Sequence, residues 1–575
     1  MFKRFMKPYR VEAVLGPLFK LFEATLELIV PLVIALIIDN GINGNGGVGD
    51  KPYVIKMALL LALFAFVGLA FSVVAQYFAA KASVGFVTGM RGALFSHLTT
   101  LSYTEIDTLG ESTMITRLTA DADKVQTGLN LGLRLLLRSP FVVFGAMIMA
   151  FTVDVKSALI FALAIPLLSI VVFGIMLATI PLYKKVQSRL DRVLLKTREN
   201  LSGARVIRAF SKEDEEIEAF DGENTALVKV QKFVGAISAL MNPITFIIIN
   251  FAVIVLIYTG AIEINSGNLT QGELIALYNY MSQILVELIK LANLIISITR
   301  SLASASRIRA VLNMESSMTD GKNTLGSESD ILVEFSDVSL CYKGAREDSL
   351  SGISFKARRG ETVGIIGGTG SGKTSLVNLI PRFYDATGGM ILIDGADIRS
   401  YTQAALREKI GVVPQRAALV SGTIRDNMRW GKKDATDEEI FRALEIAQAK
   451  GIVLDKGGLD AKIEEGGTNL SGGQKQRLTI ARALVGSPEI LILDDSASAL
   501  DFATDKALRA AIGKIENTTV FIVSQRCSSV MTADKILVLD DGELSAIGTH
   551  NELLASSSLY KEIYESQFGK EVAAR

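Results

Sequence analysis

The 575-residue chain exceeds one ordinary domain, and 49% of it is hydrophobic, with a mean hydropathy of +0.37 that is high for a soluble protein. Sixty Lys and Arg balance sixty Asp and Glu, so no excess of positive charge points to a nucleic-acid partner. Cys341 and Cys527 are too few for a disulfide framework and fit a reducing, cytosolic location.

The start, Met1 to Arg10, is basic through Lys3, Arg4, Lys7 and Arg10. The apolar run after it is too long for a signal-peptide core and is followed by more such runs, so it reads as a first transmembrane helix with a short amphipathic lead-in. Six apolar segments approach the ~20 residues needed to cross a bilayer. Their expected cores are 14–38, 54–80, 136–153, 157–182, 236–259 and 272–298. The loops 39–53, 152–157 and 260–271 carry only Lys51 and Lys156, whereas the stretches 81–135 and 183–235 are rich in basic residues such as Arg91, Arg117, Lys184, Lys185 and Arg205. The distribution of Lys and Arg places those two stretches and both termini in the cytosol. Both stretches are too long for simple loops. Leu190–Phe220 is compatible with a helix continuing the fourth span, and short turns are expected at Tyr103–Gly110 and Ala209–Glu213.

Ionisable residues within spans are costly and often mark pathways. Glu23 and Glu27, four residues apart, share one face of the first helix. Gln76 and Lys81 fall in the second, Glu287 and Lys290 in the sixth. Glu23, Glu27 and Glu287 are candidates to line a wet cavity for cationic amphiphiles. The competing reading is that they are merely solvated or paired with lysines. Pro31, Pro140, Pro166, Pro181 and Pro243 lie in or beside spans, where kinks are tolerated.

Residues 313–330 are polar, with Gly and Ser, and read as a linker between a membrane domain (1–312) and a second domain (331–575). Beyond the linker, strand-like runs alternate with helix-like ones: ILVEF, TVGIIG, MILIDG, IGVVPQ, EILILDD, TTVFIVS and KILVLDDG. This is the pattern of an α/β nucleotide-binding domain. The sequence Gly367-Gly368-Thr369-Gly370-Ser371-Gly372-Lys373-Thr374 matches G-x-x-x-x-G-K-[ST] between such a strand and a helix-like run from Ser375. Its glycines let backbone N–H groups wrap a phosphate at a helix N-terminus. Lys373 would reach the β- and γ-phosphates and Thr374 a Mg²⁺ ion. The apolar strand Ile490–Leu493 ends in Asp494, placed to hold Mg²⁺ through water.

Leu470-Ser471-Gly472-Gly473-Gln474 lies between those two motifs, and here the chain resembles the ABC transporter family, over nearly its whole length. It is similar to the exporter half-transporters. The implied fold is a six-helix, all-α transmembrane domain of ABC exporter type followed by an α/β P-loop nucleotide-binding domain. The resemblance implies an ATP site made of Tyr342, stacked on adenine, and the loop Gly367–Thr374 with Ser375. It implies Mg²⁺ held by Thr374, Asp494 and the Q-loop residue Gln415, and a D-loop at Ser498-Ala499-Leu500-Asp501. Glu465 resembles the acid that touches the coupling helices. Residues 470–474 would complete the ATP site of a second half-transporter.

Two positions depart from the family pattern. A Glu normally follows the Walker B Asp and polarises the attacking water; here it is Asp495, whose carboxylate stops ~1.5 Å short, a misplacement worth about 10²-fold. The switch histidine is replaced by Gln525, which donates a neutral hydrogen bond but cannot become cationic. The binding residues are kept while the hydrolytic ones are altered. The expectation is a site that binds ATP and hydrolyses it poorly, paired in a heterodimer with a subunit that has both groups. The expected setting is a bacterial plasma membrane, and the expected cargo a small hydrophobic or amphiphilic compound of multidrug type, or membrane lipid. A homodimeric lipid or peptide exporter with slow ATPase, and an ATP-sensing regulatory subunit, remain the alternatives.

Overall fold

The computed structural model describes residues 2–44, 49–324, 326, 329–496 and 499–569. The chain divides into two compact units, Met1–Thr99 with Ser112–Met314, and Thr100–Glu111 with Glu315–Arg575.

The first unit is helical, and six of its helices are long and apolar enough to cross a membrane. They are built around α1 (Arg10–Leu36), α2 (Lys51–Leu98), α3 (Arg138–Val153), α4 (Val155–Ser202), α5 (Met241–Asn265) and α6 (Gln271–Leu312). The 48 residues of α2 and of α4 give a length of about 72 Å, against ~30 Å of hydrocarbon, so each helix extends far into water. Between α3 and α4 the chain turns at Asp154 alone, and the expected loop 260–271 shrinks to the five residues 266–270. Side-chain caps allow such tight turns. Asp50 accepts from the N–H of Tyr53, Asp154 from that of Ser157, and Thr270 and Glu273 form a reciprocal capping box.

The helix-compatible stretch Leu190–Phe220 turns where the short turn at Ala209–Glu213 is expected, and it is also interrupted earlier. The fourth helix stops at Ser202, a short helix Ala204–Ala209 follows, and the chain reverses at 210–212 before the helix Glu213–Ala239. Pro17, Pro31, Pro166 and Pro181 lie inside helices. Pro140 and Pro243 instead occupy first turns, where the missing N–H had no helical acceptor. Fully buried Ala24, Ala146, Ala150, Ala158 and Ala276 occur in the core of this unit, and such small residues let helix backbones approach closely.

Among its described residues, the second unit contains three sheets. One has the order β2 (Leu350–Arg358), β1 (Ile331–Leu340), β4 (Gly388–Ile393), β5 (Ala396–Asp397) and is antiparallel. The second runs β12 (Glu543–Gly548), β11 (Lys535–Asp540), β3 (Thr362–Gly367), β10 (Thr519–Val523), β9 (Ile490–Asp494), β6 (Ile410–Val413), and only the β11–β12 pair is antiparallel. The short β7 (Gly422–Thr423) and β8 (Lys462–Ile463) form the third. Every residue of β9 is buried, as expected for a parallel strand covered on both faces. The expected turn at Tyr103–Gly110 is a seven-residue helix, Tyr103–Leu109, which packs within this unit although it lies between two spans in sequence.

Candidate nucleotide-binding site

Parallel strands carry ligand sites at their carboxyl ends. Here β3, β9, β10 and β6 deliver the loop 367–374, Asp494 with Asp495, Ser524 with Gln525, and Gln415 to one cleft of about 440 Å³. After β3 the backbone turns through Gly370 (φ 86°) and Gly372 (φ 90°), and a Cβ at Gly372 would lie 2.7 Å from the carbonyl oxygen of Ser349. The helix α7 (Lys373–Leu379) starts directly after that glycine. Its first residues thus aim their N–H groups into the cleft.

Lys373 folds back on its own loop, donating to the carbonyls of Gly367 (3.0 Å) and Gly368 and to Ser371 Oγ (3.2 Å). Burial pushes its ammonium below the usual lysine range, with Asp495 and Asp494 opposing that shift. The loop carbonyls stand where a phosphate oxygen could take over. Thr374 Oγ1 donates to both carboxylate oxygens of Asp494, at 3.0 and 3.1 Å. Burial raises the Asp494 carboxyl, and the Thr374 hydrogen bond offsets part of this. A hydroxyl beside a buried carboxylate, with Gln415 on the same wall, is a set of hard oxygen donors suited to Mg²⁺.

Asp495 lines the cleft in a left-handed backbone conformation (φ 45°), its N–H donating to the carbonyl of Val523 at 3.0 Å. Gln525 also lines the cleft. The side chain of Gln567, in the last helix α10 (Ser558–Phe568), grips the backbone around Gln525. Its Nε2 donates to the Gln525 carbonyl and its Oε1 accepts from the Cys527 N–H, both at 2.8 Å. No motif pointed to Gln567. Nor did any point to Glu347, Asp348 and Asp541, which add acidity to the same wall.

Two further parts of the expected site border this cleft or stand apart from it. Tyr342 flanks the cleft: its hydroxyl donates to Ser375 Oγ at 3.0 Å, and its ring meets Tyr384 edge-on at 5.0 Å. The Tyr384 hydroxyl in turn donates to Asp107, on the helix Tyr103–Leu109, at 2.6 Å. Burial, then the hydrogen bond to Asp107, push the Tyr384 phenol well above its usual range. The signature Leu470–Gln474, expected to serve the ATP site of a second half-transporter, lies outside this chain's own cleft. Exposed Ser471 caps α8 (Gly472–Leu484) through a capping box with Gln474, leaving that helix N-terminus open to solvent. Asp501 caps α9 (Phe502–Ile512) by accepting from Thr504, while Ser498 lies outside the described residues.

In the first unit, the three candidate acids separate. Glu23 pairs with Lys20, which also donates to Ser72. Glu27 and Glu287 line a cavity of about 340 Å³ between α1 and α6, and both are paired with the buried Arg138. Glu287 additionally takes Lys290 (2.8 Å) and Ser139 (2.9 Å). At this cavity the acids are thus paired with bases, Glu27 with Arg138 and Glu287 with Arg138 and Lys290.

A phosphate-cradling loop on a parallel sheet, in a chain with six candidate spans, defines an ATP-binding membrane protein. Residues 14–288 match the ABC transporter transmembrane region and residues 350–498 the ABC transporter family. The uncharacterised ABC transporter ATP-binding protein YfiB of Bacillus subtilis (strain 168) is 36% identical over 99% of this chain and 98% of its own. The ATP-dependent lipid A-core flippase of Desulfotalea psychrophila is 34% identical over 84% of each chain. Among solved structures, a bacterial Atm1-family ABC exporter with ATP bound superposes with a TM-score of 0.81 at 25% identity, covering 97% of this chain and 99% of that one. The chain belongs to the ABC transporter family, as an exporter-type half-transporter. It is an ATP-driven translocase.

Proposed function

We propose that this chain is the slow-hydrolysing half of a heterodimeric exporter of hydrophobic or amphiphilic compounds. The observation that carries this reading is the composition of one cleft: Lys373, Thr374 and Asp494 are in place for ATP, while the two positions beside them are Asp495 and Gln525. A positioned general base is worth about 10²–10⁴-fold, and the shorter Asp495 forfeits part of it. Gln525 stabilises developing phosphate charge less than a cation does. ATP is therefore held longer than it is cleaved.

Mg²⁺, bound by Thr374, Asp494 and Gln415, would neutralise phosphate charge. Tyr342 supports the adenine end. The open N-terminus of α8 with Ser471 supplies donors to the partner's ATP, and Asp501 flanks the same junction. ATP binding closes the nucleotide domains, closure reorients the membrane cavity, and hydrolysis in the partner's site resets the cycle. The retained ATP keeps the domains together between turnovers, a coupling of typically 1–3 kcal/mol. Orientation with both termini cytosolic, in a bacterial plasma membrane, follows from the Lys and Arg distribution. The flippase relative supports lipid-like cargo.

The test is steady-state ATPase of the purified chain alone and with a half-transporter bearing Glu and His at the two altered positions. The proposal expects activity only in the pair, abolished by mutating the partner's Glu and merely altered by Asp495→Ala. Full activity of the chain alone would leave a homodimeric exporter as the better account.

A further inference from the structure

The charges at the α1–α6 cavity alternate in sign along one connected path: Glu27, Arg138, Glu287, Lys290. The two middle groups are buried, with side-chain exposures of 7% for Arg138 and 3% for Glu287. The two ends are open, at 40% for Glu27 and 45% for Lys290. A ligand entering the cavity thus meets one carboxylate and one ammonium. Glu287 also lines the cavity, but its carboxylate is taken up by Arg138, Lys290 and Ser139.

The rest of the lining is mixed. Val30, Pro31 and Ile34 form an apolar stretch of α1 opposite Asn279, Ser282 and Gln283 of α6. The Oε1 of Gln283 is shielded from solvent and has no hydrogen-bond partner among the described residues. Such an acceptor is costly to leave unmade and is ready for a donor.

We infer that this cavity selects amphiphiles whose polar head carries both charges, a zwitterion with its cation toward Glu27 and its anion toward Lys290. A purely cationic head gains Glu27 but faces Lys290 and Arg138; a purely anionic head gains Lys290 but faces Glu27 and Glu287. Like-charge placement at a partly desolvated site is a strong discriminator. The apolar stretch of α1 takes the hydrocarbon part. The inference rests on the exporter reading of the membrane unit and deepens it by naming the substrate class.

The test is equilibrium binding to the full chain, purified in uncharged maltoside micelles, of three probes with the same dodecyl chain: dodecylphosphocholine, dodecyltrimethylammonium and dodecyl phosphate. The zwitterion should bind about fivefold or more tightly than either singly charged probe. Glu27→Gln should move the preference to dodecyl phosphate, and Lys290→Gln should move it to dodecyltrimethylammonium. Equal affinities in the wild-type chain, or a ranking that neither substitution moves, would overturn the inference. The wild-type ranking needs no variant, so a variant that fails to fold leaves the test intact. Binding is read without ATP, so its outcome is separate from that of the ATPase measurement that decides the heterodimer proposal.

Discussion

The side-chain amide of Gln567 donates from Nε2 to the backbone carbonyl oxygen of Gln525 at 2.8 Å, across 42 residues of sequence. The same amide accepts from the N–H of Cys527, so one side chain in the last helix brackets Arg526, directly after the switch position. Each such bond contributes about 0.5–1.5 kcal/mol net. Gln567→Ala is expected to loosen the loop and speed ATP release from this cleft, read as the dissociation rate of a fluorescent ATP analogue. Gln567→Glu keeps the acceptor for Cys527 but sets a carboxylate against the Gln525 carbonyl, so it should not rescue. An unchanged release rate in both variants would remove Gln567 from any role at the switch.

The double substitution Asp495→Glu with Gln525→His should raise hydrolysis in this chain's own cleft by about 10²-fold or more, measured as single-turnover cleavage of bound ATP. Asp495 sits at φ 45°, a region Asp adopts more readily than a longer residue. The gain in rate should therefore come with a small loss in thermal stability. Faster cleavage by the wild type than by the double variant would contradict the proposed degeneracy.

Gly389 sits at the register shift between the Gly388–Ser339 and Met390–Ser336 pairs of β4 and β1, with a positive φ of 73°, and a Cβ there would lie 2.1 Å from the carbonyl oxygen of Asp337. Backbone cannot retreat as a flexible side chain can. Gly389→Ala should destabilise the nucleotide-binding unit by more than ~1 kcal/mol, the conformational cost alone, seen as an earlier thermal transition. Gly451→Ala, where a Cβ meets nothing within 4 Å, is the matched control and should be near neutral.

Cys527 is fully buried, and burial pushes its thiol up to about 11. The native protein should react with a maleimide at Cys341, which is half-exposed, and not at Cys527 until unfolded; mass spectrometry reads both sites. The sign of the pH dependence follows. In the unfolded chain this thiol ionises near 9, while the folded one keeps its proton to about 11, so stability should fall as pH rises through that interval. Cys527→Ser should flatten that part of the curve. A curve of the same slope in the variant would assign the loss to other groups.

The spans were legible because a bilayer imposes about twenty apolar residues per crossing, a constraint written locally in the sequence. The nucleotide motifs were legible for a similar reason. A phosphate loop needs its glycines, lysine and hydroxyl in consecutive order, and a buried parallel strand needs an unbroken apolar run before Asp494. Less was visible where a residue acts through its fold partners. The Leu190–Phe220 stretch has helical composition, yet breaks after Ser202 and reverses at 210–212. The helix Tyr103–Leu109 read as a turn because seven residues carry too little periodicity to register.

By itself, the sequence determined the order of the six spans, the strand-loop-helix that carries Lys373 and Thr374, and the identities of Asp495 and Gln525. These are properties of contiguous residues, fixed by local backbone geometry and hydropathy. Only the tertiary structure decided that Glu27 and Glu287, on different helices, share Arg138. It alone brought Gln567 to Gln525 and gathered Glu347, Asp348 and Asp541 at the cleft. A charged or polar side chain chooses among partners far away in sequence, and the packing of whole helices and strands sets which of them comes within reach.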